Sequence, residues 1–163
     1  MYDAYWKPAA AGPILFYTGN ESPVEEYVNN TGLMWDLAPK LGALILALEH
    51  RYYGESVPTA DFSTPNLRYL SSHQALADLA NFRAHAAQQY ATGDAKWVSF
   101  GGSYPGMLSG WLRLKYPHLF HASVSSSSPV RAKLDMRCYN DIVGASMAAP
   151  VVGGSAACAA AIK

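Results

Sequence analysis

The sequence predicts an α/β fold in which a mostly parallel sheet is covered by helices on both faces. Four short apolar runs alternate with segments whose apolar residues recur at helical spacing. This alternation is typical of parallel strands joined by right-handed crossovers. The 163 residues are 50% hydrophobic and 15% charged, against roughly 25% charged residues in average soluble domains. So low a charged fraction indicates that part of the predicted surface contacts further structure.

The first half of the chain predicts two strands and two helices. Residues 14–17 form a buried strand that ends in a tight loop. Ser22 and Glu25 have the spacing of a capping box, so a helix is expected to begin there. A second helix, with apolar residues at helical spacing, ends at Gly42. Residues 43–48 are continuously apolar, as in a strand covered on both faces.

The second half predicts two further strands, each preceded by a helix. Ser71 or Ser72 caps a long helix, whose apolar face is formed by Leu76, Leu79, Phe82, Ala86 and Tyr90. Residues 97–100 form the third strand, and residues 122–125 the fourth. The helix between them is expected to turn Met107, Leu108, Trp111 and Leu112 inward. Beyond Pro129 the sequence is rich in Ala, Gly and Ser and predicts no definite element.

Composition argues against several classes of partner. The formal net charge is zero and no run of Lys or Arg occurs, which disfavours nucleic acid and anionic membranes. The longest apolar run, residues 41–48, is far shorter than the roughly 20 residues of a membrane span, and the first residues do not form a signal peptide. Cys138 and Cys158 lack the paired spacing of a zinc site, so neither metal nor cofactor is expected. The two cysteines form either a disulfide, worth about 3 kcal/mol, or two buried free thiols.

The strongest chemical signal is the segment GGSYPG at residues 101–106, between the third strand and a helix. A serine in such a turn is held with its hydroxyl exposed, as in a nucleophile elbow. Ser103 is therefore the candidate nucleophile, and the N–H of Tyr104 is a candidate oxyanion donor. Pro105 departs from the strict G-x-S-x-G pattern but is tolerated in a first helical turn. The alternative is a glycine-rich turn with an incidental serine.

Two other strand ends carry residues of interest, because ligands of open parallel sheets bind at the carboxyl ends of the strands. Gly19 and Asn20, after the first strand, lie where the second oxyanion N–H is expected, although an ordinary helix-capping loop explains them equally well.

The second strand ends in EHRYYGES, residues 49–56. An ion pair between Arg51 and Glu49 or Glu55 is the favoured interpretation of this segment. His50 is expected to be a hydrogen-bonded core residue.

The triad partners of Ser103 are not evident. In this architecture an acid and then a histidine follow the serine. His118 and His121 are expected at the opposite end of the sheet, and Asp135 and Asp141 come after both of them, which is the wrong order. The base and the acid are therefore expected outside this sequence.

Five ordered blocks resemble one peptidase family. They are GPILFYTGNE at 12–21, NNTGLMWDLA at 29–38, EHRYYGES at 49–56, LRYLSSHQALADL at 67–79 and GGSYPGML at 101–108. The sequence is similar to the serine peptidases that comprise lysosomal Pro-Xaa carboxypeptidase, dipeptidyl peptidase II and thymus-specific serine peptidase. The chain resembles a middle section of such an enzyme, without the first strands or the later Asp and His.

The resemblance implies a partial α/β-hydrolase fold. Residues 1–130 would be the central part of the hydrolase domain, with the nucleophile elbow, and residues 131–163 the truncated start of a helical insertion. Ser103 maps onto the family nucleophile. We expect Glu49, Arg51 and Tyr52 to lie behind the site and to support its loops. The chain alone is expected to be inactive, because it lacks the triad Asp and His.

The resemblance also implies hydrolysis of peptide bonds near a chain terminus, often after proline, with a peptide as substrate and a lysosomal or secreted location. Two acceptors for N-glycosylation, Asn20 and Asn29, agree with secretion. The resemblance is also compatible with a homodimer. The alternatives are a non-catalytic remnant of the family and a lipase or esterase, since the elbow alone serves ester hydrolysis equally well.

Overall fold

The computed structural model describes residues 12–28, 32–90 and 92–162. The chain divides into two compact units, Met1–Val130 and Arg131–Lys163. The first contains a sheet with helices on both sides, and the second contains short helices only.

The first unit has a four-stranded parallel sheet, which confirms the predicted fold class. Its strands are β1 (Ile14–Tyr17), β2 (Leu44–Ala47), β3 (Trp97–Gly102) and β4 (Ala122–Ser126). The strand order is β2-β1-β3-β4, with Ile14 opposite Leu44 on one side and Trp97 on the other. As expected, β2 and β4 are the edges within the described sheet. We expect the chain alone to aggregate through them, because both sequences lack the charges that guard an edge.

Helices cover both faces because successive side chains of a strand point to opposite sides. The helices of this unit are α1 (Glu25–Val28), α2 (Leu33–Leu41), α3 (Ser72–Gln89) and α4 (Tyr104–Lys115), with a 3₁₀ turn at Asn66–Tyr69. Ile14 and Phe16 pack in one core with apolar residues of α3 and α4. Leu15 and Tyr17 pack in the other with residues of α1 and α2. The predicted inner face of α4 is confirmed for Leu108 and Leu112, which are fully buried, whereas Met107 and Trp111 are only half-buried.

The two predicted helix caps have different outcomes. Ser71 accepts a hydrogen bond of 3.3 Å from the Gln74 N–H, which confirms the cap of α3. The capping box at Ser22 is wrong, because the Ser22 hydroxyl is buried without a hydrogen-bond partner in the described structure. The N–H of Val24 instead donates to the carboxylate of Glu49 at 3.1 Å. A distant side chain thus replaces the local cap.

The second unit contains helices that the sequence pattern did not reveal. They are α5 (Cys138–Ala148) and α6 (Ala156–Ile162), with a 3₁₀ turn at Pro150–Val152. Alanine has the highest helix propensity and supplies five of the seven residues of α6, so that helix forms without an apolar stripe. Both expectations for the cysteines are wrong, since Cys138 and Cys158 are free and exposed. No helix in the described ranges is long and apolar enough to cross a membrane.

Candidate active site

Ser103 occupies a strained turn between the last residue of β3 and the first residue of α4. Its backbone has φ 62° and ψ −128°, a region that L-residues avoid and that costs about 1–3 kcal/mol. The side chain is exposed and makes no capping hydrogen bond to α4. The hydroxyl therefore projects from the carboxyl end of the sheet, and within the described ranges no hydrogen bond restrains it.

Two glycines allow strand and helix to meet at this sharp angle. A Cβ atom at Gly101 would lie 2.1 Å from the carbonyl oxygen of Pro105, and one at Gly106 would lie 2.2 Å from the hydroxyl of Ser128. The small residues that the turn requires thus stand two positions before and three positions after Ser103. Pro105 fits because it lies in the first turn of α4, which begins at Tyr104. A backbone N–H in that turn has no partner within the helix, so proline loses no hydrogen bond there.

Thr18 connects the end of β1 to the elbow, which sequence reasoning missed. Its hydroxyl donates to the carbonyl of Pro105 at 2.9 Å and approaches that of Phe100 at 3.3 Å. Its N–H also donates to Phe100 at 3.1 Å. On the other side, the N–H of Ser103 donates to Ser126 of β4 at 3.0 Å. Neighbouring strands therefore hold the elbow from both sides.

The loop of residues 19–21 begins next to this turn, one residue after Thr18. Gly19 has φ 69°, and a Cβ there would lie 2.3 Å from the carbonyl oxygen of Leu48, so only glycine fits. Asn20 accepts a hydrogen bond from the N–H of Glu21 at 2.9 Å. Tyr104, the first residue of α4, leaves its N–H without a partner inside the helix. The candidate oxyanion donors at Gly19, Asn20 and Tyr104 thus lie at the same end of the sheet as Ser103.

His50 is buried beneath this region. Its Nδ1 lies 2.7 Å from the carbonyl oxygen of Arg51, and its Nε2 lies 3.0 Å from the hydroxyl of Tyr104. Because a carbonyl can only accept, Nδ1 carries the proton. Burial lowers the pKa of the His50 imidazole below its ordinary value, against the opposing effect of the Arg51 carbonyl. In the neutral ring Nε2 therefore accepts from Tyr104, which leaves His50 no free lone pair for use as a base.

The carboxylate of Glu49 joins the start of α1 to the segment after β2. Its carboxylate accepts the N–H groups of Glu55 and Ser56, each at 2.9 Å, in addition to that of Val24. Burial raises the pKa of the Glu49 carboxyl, but hydrogen bonds from Ser56, Val24 and Glu55 outweigh it and hold the pKa below its usual value. Gly54 is required beside it, since a Cβ there would lie 2.0 Å from the carboxylate.

The predicted ion partner of Arg51 is wrong. Arg51 pairs with neither Glu49 nor Glu55. It forms a bidentate ion pair with Asp78 of α3, with N–O distances of 2.6 and 2.7 Å. It also donates to the carbonyl of Tyr69 at 2.9 Å. The guanidinium thereby joins the segment after β2 to α3 and to the 3₁₀ turn before it.

Tyr52 has a structural role in the same segment. It adopts a positive φ of 70°, which is strained for an aromatic residue. Its N–H donates to the carbonyl of Ser56 at 2.8 Å, and its buried hydroxyl donates to the carbonyl of Asn66. Both bonds fix the segment that follows β2.

His118 and His121 do not reach Ser103. The N–H of His121 donates to Trp97 at 2.8 Å, at the start of β3, whereas Ser103 follows its end. At ~3.3 Å per strand residue, the two ends of β3 are on the order of 20 Å apart. His118 belongs to the same far turn. In the described ranges, no hydrogen bond joins Ser103 Oγ to an imidazole, and no group of three His, Cys, Asp or Glu side chains could hold a metal ion.

A cleft beside the elbow could receive a ligand. Its volume is about 350 Å³, and its lining consists of Glu21, His50, Tyr53, Leu70, Ser71, Ser72 and Tyr104. The wall is mostly polar and aromatic. Glu21 is the one residue in it that carries a formal charge at neutral pH, since His50 is neutral.

Comparison with known sequences identifies close relatives. The family model described as serine carboxypeptidase S28 matches residues 1–163. The human thymus-specific serine protease is 43% identical over 99% of this chain, which covers 31% of that protein. Human lysosomal Pro-X carboxypeptidase is 46% identical over 78% of this chain and 26% of its own length. A Caenorhabditis elegans protein named prolyl carboxy peptidase like protein 5 is 49% identical over 80% of this chain and 27% of its own. The chain thus spans less than a third of these relatives.

The fold has a solved counterpart. A thioesterase domain from the curacin biosynthetic pathway superposes with a TM-score of 0.51 at 14% identity, covering 86% of this chain and 45% of that one. Identity this low supports the fold alone. Together with the parallel sheet, it assigns the chain to the α/β-hydrolase fold.

Proposed function

Because this chain belongs to the serine carboxypeptidase S28 family, we propose that it is the nucleophile-bearing section of a serine exopeptidase that cleaves near a peptide terminus, often after proline. The observation that carries the proposal is the exposed Ser103 at φ 62° between β3 and α4. Such a turn is the usual device for presenting an attacking hydroxyl in this fold. The names of the relatives, a carboxypeptidase and a serine protease, favour a peptide over an ester as substrate.

In the proposed reaction, Ser103 Oγ attacks the scissile carbonyl carbon and transfers its proton to a base. The carbonyl oxygen becomes an oxyanion, which the N–H groups of Tyr104 and of the 19–21 loop stabilise. Collapse of this intermediate expels the amine, which takes the proton from the base and leaves an acyl ester on Ser103. Water, activated by the same base, then attacks the carbonyl carbon of this ester. The carboxylic acid product is released, and Ser103 Oγ regains its proton from the base. We place the base and its acid partner in the remainder of a full-length protein of the relatives' size.

Location and substrate polarity are part of the same proposal. Lysosomal Pro-X carboxypeptidase is among the relatives, and we propose a lysosomal or secreted enzyme. Carboxypeptidase and dipeptidyl-peptidase activity differ in the terminus that the substrate must leave free. Peptides blocked at either end, each with proline beside the scissile bond, distinguish these two activities, and a p-nitrophenyl ester tests the esterase alternative.

The proposal is tested with a fluorophosphonate probe on the full-length protein. We expect one covalent label, located on Ser103 by peptide mapping, and complete loss of the label in Ser103→Ala. Ser127→Ala is the matched control, since Ser127 is also exposed and also has a positive φ, of 48°. Label that persists in Ser103→Ala would refute the nucleophile assignment, and a full-length protein that takes no label would support the non-catalytic alternative.

A further inference from the structure

His50 contacts both proposed halves of the oxyanion hole. Its Nε2 lies 3.0 Å from the hydroxyl of Tyr104, the residue whose N–H is one proposed donor. A Cβ at Gly19 would lie 2.9 Å from the backbone nitrogen of His50, so the loop that carries the other proposed donor packs directly on the same residue. Among the described residues, His50 makes the only hydrogen bond to the Tyr104 hydroxyl.

The position of His50 is closely restrained. Only 4% of its surface is exposed, and its Nδ1 donates to the carbonyl of Arg51 at 2.7 Å. The ring packs edge-on against Tyr104 and Tyr53, with centroids 5.4 and 5.3 Å apart. Arg51 is in turn paired with Asp78 of α3. The imidazole is therefore a rigid acceptor, which can fix the direction of a side chain that bonds to it.

We propose that His50 is a positioning residue, which joins the Tyr104 side chain to the 19–21 loop and so sets the distance between the two oxyanion donors. The inference rests on the proposed function. A hydroxyl held at the end of the Tyr104 side chain restrains the position of the residue that begins α4, and with it the position of the Tyr104 N–H. Donors of an oxyanion hole act in the transition state, so a small displacement lowers kcat more than it alters substrate binding.

The test uses the full-length enzyme and measures kcat and KM separately. Tyr104→Phe removes one oxygen and keeps the ring. His50→Gln keeps an acceptor near the position of Nε2, whereas His50→Leu removes it. Tyr116→Phe is the matched control, because Tyr116 is also a half-buried tyrosine beside a histidine, with its ring centroid 6.3 Å from that of His118, but at the far end of α4.

We expect kcat to fall about tenfold in Tyr104→Phe, with KM changed by less than about twofold, and to be unchanged in Tyr116→Phe. His50→Gln should retain about a third of kcat or more. His50→Leu should lose as much as Tyr104→Phe, and the double variant of Tyr104→Phe and His50→Leu should lose no more than either, because both remove one interaction. If His50→Leu does not fold, Tyr104→Phe and His50→Gln decide.

Three results would overturn the positioning role: an unchanged kcat in Tyr104→Phe, a loss that appears only in KM, or losses that multiply in the double variant. Fluorophosphonate titration separates this failure from failure of the proposed function. If the wild-type enzyme is labelled at Ser103 and Tyr104→Phe retains full kcat, the positioning role of His50 is refuted while the proposed function stands. A wild-type enzyme without label refutes the proposed function.

Discussion

Replacement of Ser103 by glycine should stabilise the protein while it abolishes activity. Ser103 has a Cβ at φ 62° and ψ −128°, a backbone conformation that glycine adopts without steric conflict. Ser103→Ala keeps the Cβ and hence the strain, and the exposed hydroxyl makes no capping bond that alanine would lose. The difference in stability between the glycine and alanine variants therefore reports the strain of the turn, reduced by the greater freedom of glycine in the unfolded chain.

The magnitude follows from two opposing contributions. Relief of strain at a disfavoured φ, ψ is worth about 1–3 kcal/mol. The greater freedom of glycine in the unfolded chain returns about 0.5–1 kcal/mol. We expect a net gain of about 1 kcal/mol for Ser103→Gly over Ser103→Ala. In a protein of this or larger size, that corresponds to a rise in Tm of about 2 °C.

The assay is calorimetric unfolding of the full-length protein in three forms: wild type, Ser103→Ala and Ser103→Gly. Wild type and Ser103→Ala should unfold at nearly the same temperature. The same pair of substitutions at Ser125 is the control, because Ser125 lies in β4 without a positive φ, so that alanine should be the more stable there. A Ser103→Gly variant no more stable than Ser103→Ala would limit the strain of the turn to the roughly 0.5–1 kcal/mol that glycine costs in the unfolded chain, and so refute the expected strain of about 1–3 kcal/mol.

Two further predictions concern the supporting loops and their surface. Asp78→Ala should lower the free energy of unfolding by about 2 kcal/mol, because it removes the charged partner of Arg51, whose side chain is only 17% exposed. The control Asp94→Ala, at an exposed aspartate, should change the free energy of unfolding by less than about 0.5 kcal/mol. Equal urea midpoints for the two variants would contradict the stabilising role of the ion pair. In a secreted form, mass spectrometry should find a glycan on Asn29, which lies outside the described residues, but not on Asn20, where it would block the cleft; an occupied Asn20 in active enzyme would remove the 19–21 loop from the site.

The strands and the elbow could be predicted because their determinants are local. The apolar run of β1 predicts its observed bounds, Ile14–Tyr17. The glycines around Ser103 predict a sharp strand-to-helix turn within six residues of sequence. Local backbone sterics control both features, so a short segment carries the necessary information. The alternation of strands and helices likewise predicts parallel strands, because each connecting helix returns the chain to the end of the sheet where the previous strand began.

The supporting contacts could not be predicted, because they join residues that are far apart in the sequence. Arg51 has two carboxylates within four residues, Glu49 and Glu55, yet it pairs with Asp78. Nearness in sequence favours Glu49 as the ion partner of Arg51. The carboxylate of Glu49 instead accepts hydrogen bonds from the N–H groups of Val24, Glu55 and Ser56. Only the packing of α3 against the sheet brings Asp78 within reach.

The sequence by itself determined the α/β fold, the strand positions and Ser103 as the exposed nucleophile candidate, because spacing and steric limits act over a few residues. The tertiary structure alone decided that Thr18 holds the elbow, 82 and 87 positions away from its two acceptors. It also decided that His50 accepts from Tyr104, 54 positions away. Hydrogen bonds depend on distances of about 3 Å and on direction, and these are set only when the sheet has brought the ends of β1, β2 and β3 side by side.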